Sequence, residues 1–153
     1  MDVTDSSSIT RAKIDTELLL LRHRGTLTYL FNNAGYGYMM PLLDCNLDRM
    51  RLNFEVNVFG LLAVTQAFFP LLREAQGTVV NQSSIAGLPG TYQPFIGSYQ
   101  ASKSAVSKLS ENMRVEFGAF GVKVRYILMS SSSVHGRQGF TDFTLTSFSI
   151  PRS

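Results

Sequence analysis

Two short stretches decide the fold and the chemistry of this chain: Asn81-Gln-Ser-Ser-Ile-Ala-Gly87 and Tyr99-Gln-Ala-Ser-Lys103. The first follows a run of β-forming residues, and the second opens a segment with the apolar spacing of a helix. Because Tyr99 and Lys103 are four residues apart, a helix would place both side chains on one face, one turn from each other. A neighbouring ammonium favours the ionised form of a phenol, which suits proton transfer. Such pairs also arise by chance, so the rest of the chain must decide.

Composition indicates one ordinary globular domain. The 153 residues are 44% hydrophobic and 16% charged, with a net charge of +3. The only basic cluster, Arg22 to Arg24, is more typical of a helix C-terminus than of a nucleic-acid patch. Cys45 is the single cysteine, so no intrachain disulfide can form and a reducing compartment such as the cytoplasm is expected. No stretch reaches the roughly 18 apolar residues of a membrane span, and we expect none.

Helix-like and strand-like segments alternate along the chain. Strands are predicted at 27–31, 77–81 and 122–128, and helices at about 5–24, 46–75 and 98–117. Each helix is long enough to connect two parallel strands, so the pattern predicts a parallel sheet covered by helices on both faces. In such sheets the site lies at the carboxyl ends of the strands. Asn32-Asn-Ala-Gly35 follows the first strand and Asn81 to Gly87 the second, so both would lie at that edge.

Four motifs in this order resemble the short-chain dehydrogenase/reductase family. They are Asn32-Asn-Ala-Gly35 after a strand, Asn57-Val58 in the next helix, Ser83-Ser84 before Ile-Ala-Gly, and Tyr99-x-x-x-Lys103. Segments 36–44, 54–60 and 63–72 further resemble a fungal branch similar to NADPH-dependent 1-acyldihydroxyacetone-phosphate reductase. The resemblance implies an α/β fold with an incomplete, Rossmann-like doubly wound parallel sheet over residues 1–128, in which the first strands and the glycine-rich loop are missing.

The resemblance implies a catalytic role for four residues. Tyr99 would protonate the carbonyl oxygen as hydride arrives from the nicotinamide, and Ser84 would hydrogen-bond that oxygen. Lys103 would favour ionisation of the Tyr99 phenol and hold the nicotinamide ribose. Asn57 would keep a water in the proton path between Lys103 and solvent, although from the residues alone a buried asparagine satisfied by backbone is favoured. The implied activity is carbonyl reduction or alcohol oxidation with NADP(H).

The same resemblance implies a cofactor-binding set. Besides Tyr99 and Lys103, it comprises Asp2, Val3, Asn32, Ala34 and Gly35. Asp2 and Val3 would touch the adenine, and Asn32, Ala34 and Gly35 would line the adenosine side of the cofactor. Asn32 also fits turn chemistry at a strand end, and both interpretations can hold together. The glycine-rich turn that binds pyrophosphate would precede Asp2, where only Met1 stands. A catalytically inactive fragment that binds no cofactor is therefore the alternative hypothesis.

The expected partner is a small carbonyl or alcohol substrate, lipid-like by resemblance to the fungal branch, and neither nucleic acid nor a metal is implied. A homodimer through helices 46–75 and 98–117 is also implied. Ala101, Ala105, Leu109 and Met113 form a stripe that permits close helix approach, and packing within the monomer is a comparable interpretation. The branch adds the endoplasmic reticulum or lipid-droplet surface to the cytoplasm as a location.

The C-terminal end departs from the family pattern. After the third strand the family continues with Pro-Gly, whereas this chain continues with Met129-Ser-Ser-Ser-Ser133. Residues 129–153 are therefore expected to form an atypical tail. Within it, 143–145 alternates weakly as an edge strand would, and His135 is expected to be a loop residue.

Overall fold

A computed structural model describes residues 1–129; the predictions for His135 and for the strand at 143–145 lie outside the described residues. The elements are α1 (Ser6–His23), β1 (Tyr29–Asn32), α2 (Leu47–Phe54), a π-helical segment (Glu55–Gly60), α3 (Leu61–Ala75), β2 (Thr78–Ser84), α4 (Gly97–Gly118) and β3 (Lys123–Met129). Short 3₁₀ turns lie at Leu42–Asp44 and Ile85–Gly87. The predicted alternation of helices and strands is confirmed.

The three strands form one parallel sheet in the order β1-β2-β3. Asn32 pairs with Asn81, and Ser84 pairs with Met129 at the carboxyl ends of the strands. The predicted parallel sheet is therefore correct. Its register brings the two segments that follow β1 and β2 to the same edge, which is where a site is expected in such sheets.

The helices that pack on the described sheet lie on one face, not on both as predicted. Both crossovers run in the same direction across the sheet, and right-handed crossovers then place α3 and α4 on the same side. Strand residues alternate accordingly: Leu30 and Val79 are 1% and 0% exposed, whereas Tyr29 and Ile127 on the other face are 42% and 45% exposed. A complete doubly wound sheet has crossovers in both directions, whereas the described strands are joined by crossovers in one direction.

Local sequence signals set the helix ends. The Asp5 carboxylate accepts a hydrogen bond from the Ser7 backbone N–H and caps α1. Asn46 caps α2 in the same way, through the backbone N–H groups of Asp48 and Arg49. The predicted helix 46–75 is therefore real, although a π-helical segment interrupts it at Glu55–Gly60.

The predicted small-residue stripe on α4 packs largely within the chain. Met113 belongs to the buried core, and Ala105 and Leu109 pack against that core, whereas Ala101 is exposed. Packing within the monomer therefore accounts for most of the stripe. A homodimer through these helices remains a prediction.

The continuous helical unit Leu47–Ala75 is long and apolar enough to cross a membrane, with a mean hydropathy of 1.5 over its most apolar window. Half of that window is buried inside the domain. Val64, Phe68 and Leu72 are 2%, 2% and 0% exposed. This burial is typical of a core helix, which passes the same test of length and composition.

Gly77, which precedes β2, offers a test of this packing. A Cβ there would lie 2.8 Å from the Leu27 carbonyl oxygen and 2.9 Å from that of Thr28, and neither backbone atom can swing away. We expect Gly77→Ala to lower the free energy of unfolding by about 1 to 3 kcal/mol, measured by urea denaturation. The control is Gly118→Ala at the end of α4, where nothing lies within 4 Å. Equal stability of the two variants would contradict the packing described.

Candidate active site

Strand β2 continues through both serines of the predicted motif instead of ending before them. Ser83 and Ser84 therefore point to opposite sides of the strand. The Ser83 hydroxyl is 1% exposed, lies 3.1 Å from the Lys103 carbonyl oxygen and 2.8 Å from the Ser107 hydroxyl, and so fastens β2 to α4. Ser83 therefore lies within β2 and not in a loop. Successive side chains of a strand point to opposite faces, and this alternation distinguishes the role of Ser83 from that of Ser84.

Ser84 ends β2 with its hydroxyl in two contacts. It accepts a hydrogen bond from the Ala86 backbone N–H at 3.1 Å and donates one to the Met129 carbonyl oxygen at 3.3 Å. The donated bond is long for an O–H donor. The Ser84 hydroxyl can therefore donate to a stronger acceptor in the site with little loss of hydrogen-bond energy.

Tyr99 and Lys103 lie one turn apart on α4, as predicted. The Lys103 ammonium nitrogen is 5.8 Å from the centroid of the Tyr99 ring. The ammonium donates a hydrogen bond to the Gln82 carbonyl oxygen at 2.8 Å, and Lys103 is only 3% exposed. Loss of hydration on burial lowers the pKa of Lys103 from 10.5 to about 8. The ammonium is thus held between the end of β2 and the phenol.

Two glycines allow this close arrangement. A Cβ on Gly87 would lie 2.6 Å from the Lys103 carbonyl carbon, so only glycine lets the turn after β2 rest on α4 at that residue. A Cβ on Gly35 would lie 3.7 Å from the Lys103 ammonium nitrogen and 3.5 Å from the Asn57 amide oxygen. Gly35 therefore lies at van der Waals distance from the ammonium and from the Asn57 amide.

Asn57 lies in the π-helical segment and is 1% exposed. Its amide nitrogen donates to the Tyr36 carbonyl oxygen at 2.9 Å and to the Ser102 hydroxyl at 2.9 Å, and its amide oxygen accepts from the Tyr36 backbone N–H at 2.7 Å. The side chain therefore joins the loop after β1 to α4. The water of the predicted proton path stays a prediction.

Sequence reasoning missed Asn53, which is 0% exposed one turn before Asn57. In the amide orientation that satisfies both of its ends, its oxygen accepts hydrogen bonds from the Tyr99 backbone N–H at 3.2 Å and from the Ser98 hydroxyl at 2.8 Å. Asn53 thereby holds the start of α4 at the tyrosine. Its spacing of four from Asn57 within a predicted helix was the available signal.

Three residues of the predicted cofactor set, Val3, Asn32 and Ala34, line one small cleft, whereas Asp2 and Gly35 do not line it. The Asn32 amide nitrogen donates to the Thr65 hydroxyl and to the Asn81 amide oxygen, both at 2.8 Å, so this side chain is directed into the core. What Asn32 offers to the cleft is mainly backbone. Both interpretations of this residue, strand-end structure and cleft lining, therefore hold.

Asp2 and Val3 are fixed by contacts of their own. The Asp2 carboxylate accepts hydrogen bonds from the Thr4 backbone N–H and hydroxyl, both at 2.8 Å, and these bonds lower the pKa of Asp2. Val3 packs against Gly60, where a Cβ would lie 2.8 Å from a Val3 methyl carbon. The pair is thus positioned beside the cleft.

The residues present fit the nicotinamide half of a dinucleotide. An ammonium has three donors, and among the described residues Lys103 spends one on a protein acceptor, the carbonyl oxygen of Gln82. Two donors remain on the ammonium near Gly35, and this number suits the two hydroxyls of a ribose. The site lies at the carboxyl ends of β1 and β2, as expected for this kind of sheet.

The amino-acid sequence is similar to those of known proteins. The family model for short chain dehydrogenases matches residues 1–139. A short-chain dehydrogenase of Penicillium ochrochloron is 44% identical over 128 residues, which are 84% of this chain and 45% of that protein. The NADPH-dependent 1-acyldihydroxyacetone phosphate reductase of Schizosaccharomyces pombe is 34% identical over 84% of this chain and 42% of its own length. The chain thus spans less than half the length of these two relatives.

A solved structure gives the same answer for the fold. The short chain dehydrogenase of Burkholderia cenocepacia in complex with NADP superposes with a TM-score of 0.73 at 31% identity, over 84% of this chain and 50% of that one. The sequence motifs, the parallel sheet and the position of the site at its carboxyl edge therefore have one explanation. The chain belongs to the short-chain dehydrogenase family, whose members are oxidoreductases.

Proposed function

We propose that the protein reduces a carbonyl, or oxidises the corresponding alcohol, with NADP(H). The observation that carries the proposal is the buried Lys103 ammonium, 5.8 Å from the Tyr99 ring and with donors to spare beside Gly35. Structural cations are seldom left with unused donors in a buried site, because desolvation is costly. The choice of NADP(H) is supported by the NADPH-dependent yeast relative and by the NADP complex of the Burkholderia protein.

In this proposal the bound cofactor supplies the hydride, and the side chains handle the proton and the developing charge. Tyr99 gives its phenolic proton to the substrate oxygen. Ser84 turns its hydroxyl from Met129 to the same oxygen, where a fixed donor stabilises negative charge most. Lys103 hydrogen-bonds the ribose and favours the phenolate that Tyr99 leaves behind. Asn57 and Asn53 hold the loop after β1 and the start of α4 around these groups.

The finer assignments are also proposals. By similarity to the yeast relative, the substrate is a lipid-like carbonyl compound of the 1-acyldihydroxyacetone phosphate type. The proposed location is the cytoplasm, in line with a single half-buried cysteine. The alternative is a catalytically silent form that binds no cofactor, and a measurement of NADPH binding distinguishes the two.

The first prediction concerns Tyr99. We expect Tyr99→Phe to lower carbonyl reduction by NADPH at least about 100-fold, because the proton donor is lost, while circular dichroism and thermal unfolding stay unchanged. The matched control is Tyr29→Phe, which removes a hydroxyl from a tyrosine that is 42% exposed on the open face of the sheet and should keep full activity. Retained turnover in Tyr99→Phe would refute the assignment of the proton donor.

The second prediction separates the enzyme from the silent form. Titration with NADPH, followed by its fluorescence, should give saturable binding to the wild type. Lys103→Met should bind at least about tenfold more weakly, because hydrogen bonds from a charged donor to the ribose are lost. If the wild type binds no NADPH at all, the silent form is the correct interpretation.

The third prediction follows from the lowered pKa of Lys103. Between about pH 8 and pH 10.5 the folded protein has released this proton and the unfolded protein still holds it. The unfolded state then binds more protons, so stability rises with pH in this window. Relative to Lys103→Met, the wild type should gain about 3 kcal/mol in unfolding free energy across it. Chemical denaturation of both proteins at several pH values measures the gain, and parallel pH profiles would contradict the burial of the ammonium.

A further inference from the structure

Two loops beside Tyr99 form one continuous surface, which we call the apolar wall: residues 36–43 after β1 and residues 85–97 after β2. Neither loop contains Asp, Glu, Lys, Arg or His, although 16% of the chain is charged. The loops are tied together, because the Met40 backbone N–H donates to the Phe95 carbonyl oxygen at 2.6 Å. The Leu42 side chain also packs directly on Gly97, where a Cβ would lie 3.0 Å from it.

The apolar wall begins at the reacting group. Gly37 lies against the Tyr99 ring, with 3.9 Å between a Cβ built on the glycine and a ring carbon. From there the wall presents large apolar side chains to solvent: Met39, Leu42 and Phe95 are 71%, 66% and 56% exposed. Apolar patches that are continuous with a polar site are typical of ligand-binding surfaces.

Phe95 is held on the apolar wall in a strained conformation. Its φ angle is 70°, in the left-handed region that bulky residues rarely adopt. The ring is more than half exposed, so its burial contributes little to folding that could offset the strain. Backbone strain that the fold does not need is concentrated at functional sites. The strain therefore indicates that the outward position of the Phe95 ring serves a ligand.

We propose that the apolar wall binds the hydrocarbon chain of the carbonyl substrate. This inference rests on the proposed function and specifies its substrate class: ketones or aldehydes with a long alkyl or acyl chain. With the carbonyl oxygen at Ser84 and Tyr99, the chain lies along Leu42 and Phe95. Because neither loop carries an acidic or basic side chain, a hydrocarbon that covers the wall removes no charged group of these loops from water.

The test is a binding assay that needs neither cofactor nor turnover. The neutral fluorophore N-phenyl-1-naphthylamine is bound to the protein and displaced by methyl ketones of increasing chain length. Burial of each methylene should raise affinity roughly threefold until the wall is covered. Affinity that does not depend on chain length would overturn the proposal.

Variants locate the effect on the wall. Phe95→Asn removes the ring and introduces a residue that tolerates the left-handed region. This variant should therefore keep or raise the melting temperature, while its affinity for long-chain ketones should fall by about tenfold. The matched control is Phe120→Asn, which alters a phenylalanine of similar exposure, 47%, beyond the far end of α4. Met39→Gln is the second wall variant and should act in the same direction if Phe95→Asn does not fold. Equal affinities in the wall variants and the control would reject the wall as the site.

The remaining outcomes separate this proposal from its rivals. Binding to neutral phosphatidylcholine vesicles that is lost in Phe95→Asn, with no dependence on ketone chain length, would make the wall a bilayer contact and overturn the proposal. Chain-length-dependent ketone binding without NADPH-dependent reduction would keep the wall and reject the proposed reaction. Reduction that is indifferent to chain length would keep the reaction and reject the wall.

Discussion

The structure depends on buried amide and hydroxyl groups that fasten the strands to α4. Asn81 is 0% exposed in the central strand β2; its amide oxygen accepts from Asn32 in β1 and its amide nitrogen donates to the Ser110 hydroxyl in α4. Each group is satisfied only while all three elements keep their register, and a buried polar group that loses its partner costs about 1 to 3 kcal/mol. Asn81 therefore fixes how far α4 can slide along the sheet.

The site inherits its geometry from this fastening. Ser83, two residues after Asn81, bonds to the Lys103 backbone, and Gly87 rests on the same turn of α4. The end of β2, which carries Ser84, is thus joined to the turn of α4 that carries Tyr99 and Lys103. Asn53 and Asn57 fasten the other side, from the helix that follows β1. Polar residues inside the protein therefore hold together the elements that carry Ser84, Tyr99 and Lys103.

The sequence predicted the strands, the crossover helices and the pairing of Tyr99 with Lys103, because these follow from local periodicity and spacing. It did not predict Asn53 or the role of Ser83, since whether a buried hydroxyl or amide fastens two elements depends on their packing distance. The end of β2 was also misjudged: Asn81 to Ser84 are polar and resemble a loop, yet partners in β1, β3 and α4 satisfy them within a strand. The single covered face of the sheet was missed because crossover direction depends on strand order, which local pattern does not contain.

The described sheet has one face that is covered by helices and one face that is open. On the covered face, Ser83 bonds to the Lys103 backbone, Asn57 bonds to Ser102 in α4, and Lys103 bonds to the Gln82 carbonyl oxygen in β2. The other face carries Ser84 at the end of β2, together with exposed apolar groups such as Tyr29 and Ile127. Tyr99 and Lys103 are therefore supported from the helical side, whereas the Ser84 side chain leaves the strand on the open side. The proposed reaction thus requires groups from both sides of β2, and the contacts between β2 and α4 fix their relative positions.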